Sequence, residues 1–171
     1  MEQVDIVDNE LNVIDIVSKE KAHDLGLLHK TVIAEVINSK DEMLLVRQAS
    51  HKQDAGQYVS PVGGHVKSGE SVEEALIRES AEEIGLIDFD YTFIGKFVYN
   101  RVTRGKKENH YFHIFEIHAD ITPVLNDESD SYKWFSKAEI TRRLLENRTL
   151  FGDAFIPIWE NYYLSLNLER A

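Results

Sequence analysis

Three glutamates, Glu79, Glu82 and Glu83, are spaced in a way that favours chemistry at one shared site. In an α-helix, with about 100° of rotation per residue, side chains three and four positions apart lie on the same face. Ala75 and Leu76 belong to that face as well. The three carboxylates therefore extend an apolar stripe instead of the solvent side of the helix, and the pattern predicts that they point inward.

Such a placement is costly unless the charges are compensated. Two carboxylates about 4 Å apart repel each other by roughly 4 kcal/mol at an effective dielectric of about 20, and burial adds a desolvation penalty. Arg78 can pair with Glu82 but cannot neutralise three acids. A divalent cation can, and Mg²⁺ prefers carboxylate oxygens and is completed by substrate phosphates. The alternative is that the glutamates are ordinary solvated helix residues paired with Arg78.

The residues around these glutamates resemble the Nudix box. In that motif a glycine, a glutamate, an Arg-Glu pair, a Glu-Glu pair, a second glycine and an apolar residue follow at fixed intervals. Seven positions that each require one residue type, at a frequency of about 7%, coincide by chance in about one such chain in a million. Ser80 stands where the family usually has an aliphatic residue. The matching residues are Gly64, Glu70, Arg78, Glu79, Glu82, Glu83, Gly85 and Leu86.

The resemblance implies a fold and a ligand set. The fold is α/β, an α/β/α sandwich around a mixed β-sheet. The three glutamates would bind the metal together with the carbonyl of Gly64 and carry the catalysis, and Glu70 and Arg78 would support the geometry of the loop and helix. Glycine suits position 64 because no side chain blocks a close approach of the backbone. The implied cofactor is Mg²⁺ or Mn²⁺.

The wider sequence is similar to one Nudix subgroup, that of isopentenyl-diphosphate isomerase. The similarity includes the N-terminal hairpin, Leu27-Leu28-His29 before the first long strand, and Gly64-His65-Val66 at the start of the box. In that isomerase three histidines and two glutamates bind a metal. The resemblance therefore implies a second metal site, for Mn²⁺, Zn²⁺ or Mg²⁺, at His29, His65, Glu108 and His110, with His23 near the position of the third histidine. The alternative is that these histidines are hydrogen-bonded structural residues.

Two departures from the isomerase favour hydrolysis. Gly63 stands at the position of its catalytic cysteine in a chain that contains no cysteine, and the isomerase's box is degraded whereas this chain has the full set of hydrolase acids. We predict a hydrolase that cleaves a phosphoanhydride bond in a small organic diphosphate, such as a nucleoside diphosphate linked to another group. In the same alignment Arg47 and Lys52 stand where basic residues contact the diphosphate, which suits their charge. The alternatives are an isomerase-like enzyme and a non-catalytic ligand-binding module.

The elements that must position these residues mix strands and helices. Ser71 with Glu74 forms a capping box and Gly85 supplies a left-handed stop, so a helix is expected between Ser71 and Gly85. Another capping box, Ser136 with Glu139, predicts a helix to about Asn147, and a last helix is expected from Phe155 to Leu168. An N-terminal β-hairpin extension occupies about residues 1–25, with strands at 4–7 and 13–17. Further strands are expected at 31–38, 43–47, 58–62, 91–98 and 110–119.

Composition limits the classes of partner. The net charge of −11 repels DNA and anionic lipid, so the expected partner is a small diphosphate and not a nucleic-acid polymer or a membrane. The absence of cysteine excludes disulfides, zinc–thiolate sites and thiol nucleophiles. A start without a basic, apolar leader predicts a cytoplasmic location. Without repeats or a linker, residues 1–171 are expected to form one Nudix domain, with the box at 64–86.

Several acids and aromatic residues remain open. Four acids downstream of the box are candidates for a further metal ligand or general base, or are simply surface acids: Glu108, Glu116, Asp127 and Glu128. Trp159, Tyr162 and Tyr163 on the last helix either pack in the core or contribute to a homodimer contact.

Overall fold

The computed structural model describes residues 1–164. Within that range nine β-strands form one mixed sheet, accompanied by four α-helices and a 3₁₀ turn at Arg148–Leu150. In chain order the elements are β1 (Gln3–Val7), β2 (Val13–Ser18), α1 (Lys19–Leu25), β3 (His29–Ile37), β4 (Glu42–Gln48), β5 (Tyr58–Val59), β6 (Val62–His65), α2 (Val72–Ile84), β7 (Asp90–Thr103), β8 (Lys106–His118), β9 (Ser129–Ser136), α3 (Lys137–Glu146) and α4 (Phe155–Tyr162).

Strand β3 is the centre of the sheet. It runs parallel to β8 and antiparallel to β4 and β6, and the N-terminal hairpin β1–β2 joins it through the Ile6–His29 pair. Strand β7 pairs with the far side of β8, and β9 and β5 pair with β4. The predicted mixed sheet and N-terminal hairpin are confirmed. Because parallel strands at the centre of a sheet are covered on both faces, β3 is buried almost throughout.

Two apolar layers cover the sheet. On one face Ala75, Leu76 and Ile84 of α2 pack against Val32 and Phe115. On the other face helices α3 and α4 supply side chains to a larger aromatic cluster. Each fully buried aliphatic or aromatic side chain contributes about 1.5–3 kcal/mol of transfer free energy. The arrangement is the predicted α/β/α sandwich.

Helix α2 begins and ends as the sequence predicts. The Ser71 hydroxyl accepts from the Glu74 backbone amide, the Glu74 carboxylate accepts from the Ser71 amide, and Gly85 adopts φ 70°. The second predicted capping box is only half present. The Ser136 hydroxyl accepts from the Glu139 amide. The Glu139 carboxylate instead accepts from Lys133 and Arg143 side chains at 2.8 and 2.9 Å, because these cations lie within its reach.

Other elements differ from the sequence predictions. Helix α1 was not expected, although Ser18 caps its start and Gly26, at φ 67°, ends it. Strands β7 and β8 each extend further toward their shared turn than predicted. The last helix ends at Tyr162, and the expected end at Leu168 lies outside the described residues. Trp159 and Tyr163 are buried in the core and Tyr162 packs against it. No helix within residues 1–164 is both long and apolar enough to cross a bilayer.

Candidate functional site

Helix α2 directs two of its glutamates toward the sheet. The side chain of Glu79 is 12% exposed, and the buried carboxylate of Glu83 accepts from the Gly63 amide at 2.7 Å. Glu82 is 55% exposed, since it lies at the rim of the shared face. The structure thus brings all three acids to one cleft, with Glu79 and Glu83 deep and Glu82 at its mouth.

Arg78 ties the start of the box to the helix. Its guanidinium donates to Glu70 from Nε (2.8 Å), to Glu79 from Nη1 (2.7 Å) and to the His65 carbonyl from Nη2 (2.9 Å). The Glu70 carboxylate also accepts from the Lys67 amide at 2.9 Å. The hydrogen bond to Glu70 contributes most to holding the pKa of Arg78 above its ordinary value. Glu70 and Arg78 therefore join the loop of the box to its helix, and their role in bracing that geometry stays a prediction.

A further carboxylate of the cleft comes from outside the box. Glu128, at the entrance to β9, lines the same cleft and is hydrogen-bonded to Glu83. Burial, followed by this bond, raises the pKa of Glu83 well above its ordinary value, and burial also raises the pKa of Glu79. At Glu128 burial acts to raise the pKa. Hydrogen bonds from Glu83 and Lys52 outweigh burial and hold the pKa below its ordinary value. Carboxylates that converge in this way, two of them resisting ionisation, suit a divalent cation.

The cleft holds about 480 Å³ and carries both signs of charge. Lys19, Lys52 and Lys67 line it beside the acids, and Lys52 pairs with Glu128 at 2.9 Å. The sequence does not predict Lys19 and Lys67 as site residues, since neither belongs to a motif of recognisable spacing. Arg47 lies outside the lining of the cleft: its side chain is 49% exposed and its Nη1 is 3.8 Å from Asp130.

A second cluster of possible ligands lies beside the first. Each of four histidines offers one ring nitrogen, and these four nitrogens all lie within 4.8 Å of one another. The Nε2 atom of His23 is 3.3 Å from Nε2 of His110 and 3.2 Å from Nε2 of His65. The fourth ring belongs to His29, so the cluster collects α1, β3, β6 and β8.

Burial favours the neutral form of all four rings. Burial lowers the pKa of His29 to about 4 and that of His110 to about 2, and it also lowers the pKa values of His23 and His65. His29 Nδ1 donates to the Leu27 carbonyl at 2.8 Å, which leaves its buried Nε2 as an acceptor without a partner in the described chain. Neutral imidazoles fixed by such a bond are typical metal ligands.

The histidine cluster differs from the predicted second metal site in one member. His29, His65 and His110 belong to it, as predicted, and His23 completes it. Glu108 does not, because Arg101 Nε donates to its carboxylate at 2.7 Å and draws it away. Strand β6 links the two sites, since the ring of His65 enters the cluster while its carbonyl accepts from Arg78.

The comparisons with known proteins agree with this architecture. The NUDIX domain model matches residues 27–156. The chain is 31% identical over 145 residues to isopentenyl-diphosphate Delta-isomerase 2 of Photorhabdus laumondii subsp. laumondii, covering 83% of this chain and 81% of the relative. It is 32% identical over 143 residues to the protein of the same name from Aromatoleum aromaticum, covering 82% and 75%.

Among solved structures, the chain is similar to DR0079 of Deinococcus radiodurans, with a TM-score of 0.77. The identity is 20%, and the superposition covers 95% of this chain and 99% of that one, so this similarity concerns the fold. The matched residues 27–156 include the whole box and three of the four clustered histidines. On the extent of this match and the similarity to named relatives, the chain belongs to the NUDIX domain family, close to members named isopentenyl-diphosphate isomerase.

Proposed function

We propose that the chain is a hydrolase that depends on a divalent cation and cleaves a phosphoanhydride bond in a small organic diphosphate. The observation that carries the proposal is the convergence of Glu79, Glu83 and Glu128 in one cleft whose rim also presents lysines. The acids are matched to a cation and the lysines to phosphate oxygens, so both partners of a metal–diphosphate complex find complementary charge.

In this proposal Glu79, Glu82 and Glu83 hold Mg²⁺ or Mn²⁺ together with the Gly64 carbonyl. When bound, the cation supplies charge compensation for the diphosphate and polarises the phosphoryl group. The remaining work falls to the protein. Arg78 fixes the position of Glu79, and the Gly63 amide, donating at 2.7 Å, fixes that of Glu83.

Glu128 is the group that we assign as general base. A general base must be ionised at the working pH and within reach of the attacking water. Glu128 lies in the cleft beside Glu83, and the Lys52 ammonium donates to its carboxylate, which favours the ionised form. Lys52, 2.9 Å from the Glu128 carboxylate, is placed to contact a phosphate oxygen at the same point.

The rival function is isomerisation of isopentenyl diphosphate, and the names of the sequence relatives favour it. Against it stands the absence of any cysteine in the sequence, with Gly63 at the position where the isomerase carries its catalytic cysteine. Proton exchange into isopentenyl diphosphate in D₂O without phosphate release would support isomerisation. A non-catalytic binding module would bind diphosphates without either reaction.

The histidine cluster is proposed as a second metal site. Its four nitrogen donors suit Zn²⁺ or another transition metal better than Mg²⁺, which prefers oxygen. Metal analysis of the purified protein should find one such ion, and His110→Ala should lose it. Chelation should lower the melting temperature of the wild type and leave that of the variant unchanged; equal effects on both would contradict the assignment.

The proposed function is tested with a panel of nucleoside diphosphates and triphosphates, dinucleotides, nucleotide sugars and isoprenoid diphosphates, with Mg²⁺ or Mn²⁺, following phosphate release and product identity. Glu83→Gln should lower turnover at least about a hundredfold with the fold intact. Glu73→Gln, an exposed acid of the same helix, is the matched control and should turn over normally. Near-normal turnover of Glu83→Gln would contradict the assignment.

A further inference from the structure

The loop of residues 49–57, between β4 and β5, forms one wall of the cleft. It presents Lys52 and Asp54 to the cleft interior. The base of the loop is closed by backbone bonds: the Gln48 amide donates to the Gln57 carbonyl at 2.9 Å, and the Ala49 amide donates to the Glu128 carbonyl at 2.9 Å. The position of Lys52 therefore depends on what holds the tip of this loop.

The tip is held by the hairpin of β7 and β8. Arg101 of β7 donates from Nη1 to Asp54 at 3.2 Å and from Nη2 to Gln53 at 3.3 Å. Its Nε donates to Glu108 of β8, so the guanidinium bridges the hairpin and the loop. The side chains of Arg101, Asp54 and Glu108 are only 17%, 16% and 11% exposed. Because little water reaches these charged groups, solvent screens their mutual attraction only weakly.

A second arginine reaches the backbone of the same loop. Arg104 lies in the turn of the hairpin at φ 50°, and its Nη2 donates to the Lys52 carbonyl at 3.0 Å. Within residues 1–164, residues 52–54 accept hydrogen bonds from outside the loop only from Arg101 and Arg104, and Lys52 donates one to Glu128. The hairpin thus fixes the main chain at Lys52, whose side chain stays free to change partner.

We propose that Arg101 and Arg104 are positioning residues that clamp the loop of residues 49–57, so that Lys52 remains at the cleft for the phosphates of a bound diphosphate. The use of Lys52 as a phosphate ligand rests on the proposed function. A lysine side chain has large conformational freedom, and ordering it costs binding free energy. Because the main chain of Lys52 is already fixed, less conformational entropy is lost when its ammonium moves from Glu128 to a phosphate oxygen.

The first test measures the loop and needs no ligand. Hydrogen exchange of residues 49–57 should be at least about tenfold faster in Arg104→Gln than in the wild type, with the core unchanged. Arg101→Lys, which retains the charge but lacks the branched guanidinium, should show the same local effect. Arg142→Gln is the control, since Arg142 lies on α3 and pairs with Glu146. Unchanged exchange in either clamp variant would overturn the proposal.

The second test uses methylenediphosphonate with Mg²⁺ as a probe, in a cycle of Lys52→Gln, Arg104→Gln and the double variant. If Arg104 acts through Lys52, Arg104→Gln should weaken binding about fivefold to tenfold alone and have no effect once Lys52 is Gln. Independent, additive effects would overturn the proposal. No binding by the wild type would contradict the proposed function, and hydrogen exchange would then decide whether the clamp exists.

Arg104 is the arginine replaced in this double-variant cycle because it lies at an exposed turn, so its replacement should leave the fold intact. Replacing Arg101 by a neutral residue would leave Asp54 and Glu108 unpaired in a dry site and could unfold the protein. Circular dichroism of Arg101→Lys therefore accompanies the exchange measurement. A folded variant with an unclamped loop supports the proposal, and one whose loop exchanges as in the wild type contradicts it.

Discussion

Gly64 of β6 and Glu79 of α2 lie so close that no side chain fits between them. A methyl group on Gly64 would be 2.8 Å from Oε2 of Glu79 and closer still to Oε1 and Cδ. Space, and not backbone conformation, therefore favours glycine at this position, since a larger side chain would have to push the Glu79 carboxylate aside. The neighbouring Gly63 is different, because a methyl group there would meet no atom nearer than 3.8 Å.

Gly64→Ala should lower turnover at least about a hundredfold, the equivalent of about 2.7 kcal/mol in the barrier. The added methyl must displace the Glu79 carboxylate and, with it, the bond from Arg78 at 2.7 Å. Gly63→Ala keeps the amide that Glu83 accepts from, and should retain turnover within about threefold of the wild type. Steady-state kinetics with Mg²⁺ check both variants, and equal effects of the two would refute the argument.

The Nudix helix and its acids could be predicted because their signals are local. The capping box of Ser71, the stop at Gly85 and the spacing of the glutamates all lie within one segment. The exposure of Glu82 could not be predicted, since it depends on how far the neighbouring strand covers the helix. The sequence offers Glu128 only as one of four downstream acids, because a loop 45 positions beyond Glu83 carries no spacing that would place it in the cleft.

The histidine cluster depends on strand register. His29 is the direct partner of His110 across the parallel pair β3–β8, and Thr31 is the partner of His65 across β3–β6. A shift of one residue in either pairing would turn a ring to the other face of the sheet. Glu108 does not join the histidine cluster because its carboxylate pairs with Arg101 instead. The spacing of residues in the sequence does not reveal this choice of partner.

Arg78→Lys should lower turnover by about tenfold to a hundredfold although the charge is kept. The guanidinium serves Glu70, Glu79 and the His65 carbonyl at once, and a lysine ammonium cannot reproduce that planar arrangement. The melting temperature should fall too, because Arg78 is mostly buried among these partners. Arg142→Lys on α3 is the matched control, and a wild-type turnover for Arg78→Lys would contradict the bracing role.

Glu35 should make the stability of the protein depend on pH. It is fully buried on β3, the Ser60 hydroxyl donates to its Oε1, and its Oε2 has no hydrogen-bond partner within the described chain. Burial raises its pKa from 4.5 to about 8. Between these values the folded protein holds a proton that the unfolded chain has released, so the free energy of unfolding falls as pH rises from about 4.5 to about 8 and levels off above that.

Glu35→Gln removes this titration. Urea denaturation should show that the variant loses less stability than the wild type between pH 6 and pH 9. Glu146→Gln, an exposed residue at the end of α3, should behave as the wild type does. The same pH dependence in wild type and Glu35→Gln would show that another group is responsible.

Gly95 of β7 should be required for the packing of α4. A methyl group there would lie 2.6 Å from Cε1 of Tyr162 and closer to its hydroxyl oxygen, at the bulge where the register of β7 shifts. Gly95→Ala should therefore lower the free energy of unfolding by about 1–3 kcal/mol, the usual cost of overpacking. Because ring carbons are part of the overlap, Tyr162→Phe should not relieve it, whereas Tyr162→Ala should. Urea denaturation of Gly95→Ala in the three backgrounds measures the difference, and the same loss in the Tyr162→Ala background would mean that the glycine is needed for the strand itself.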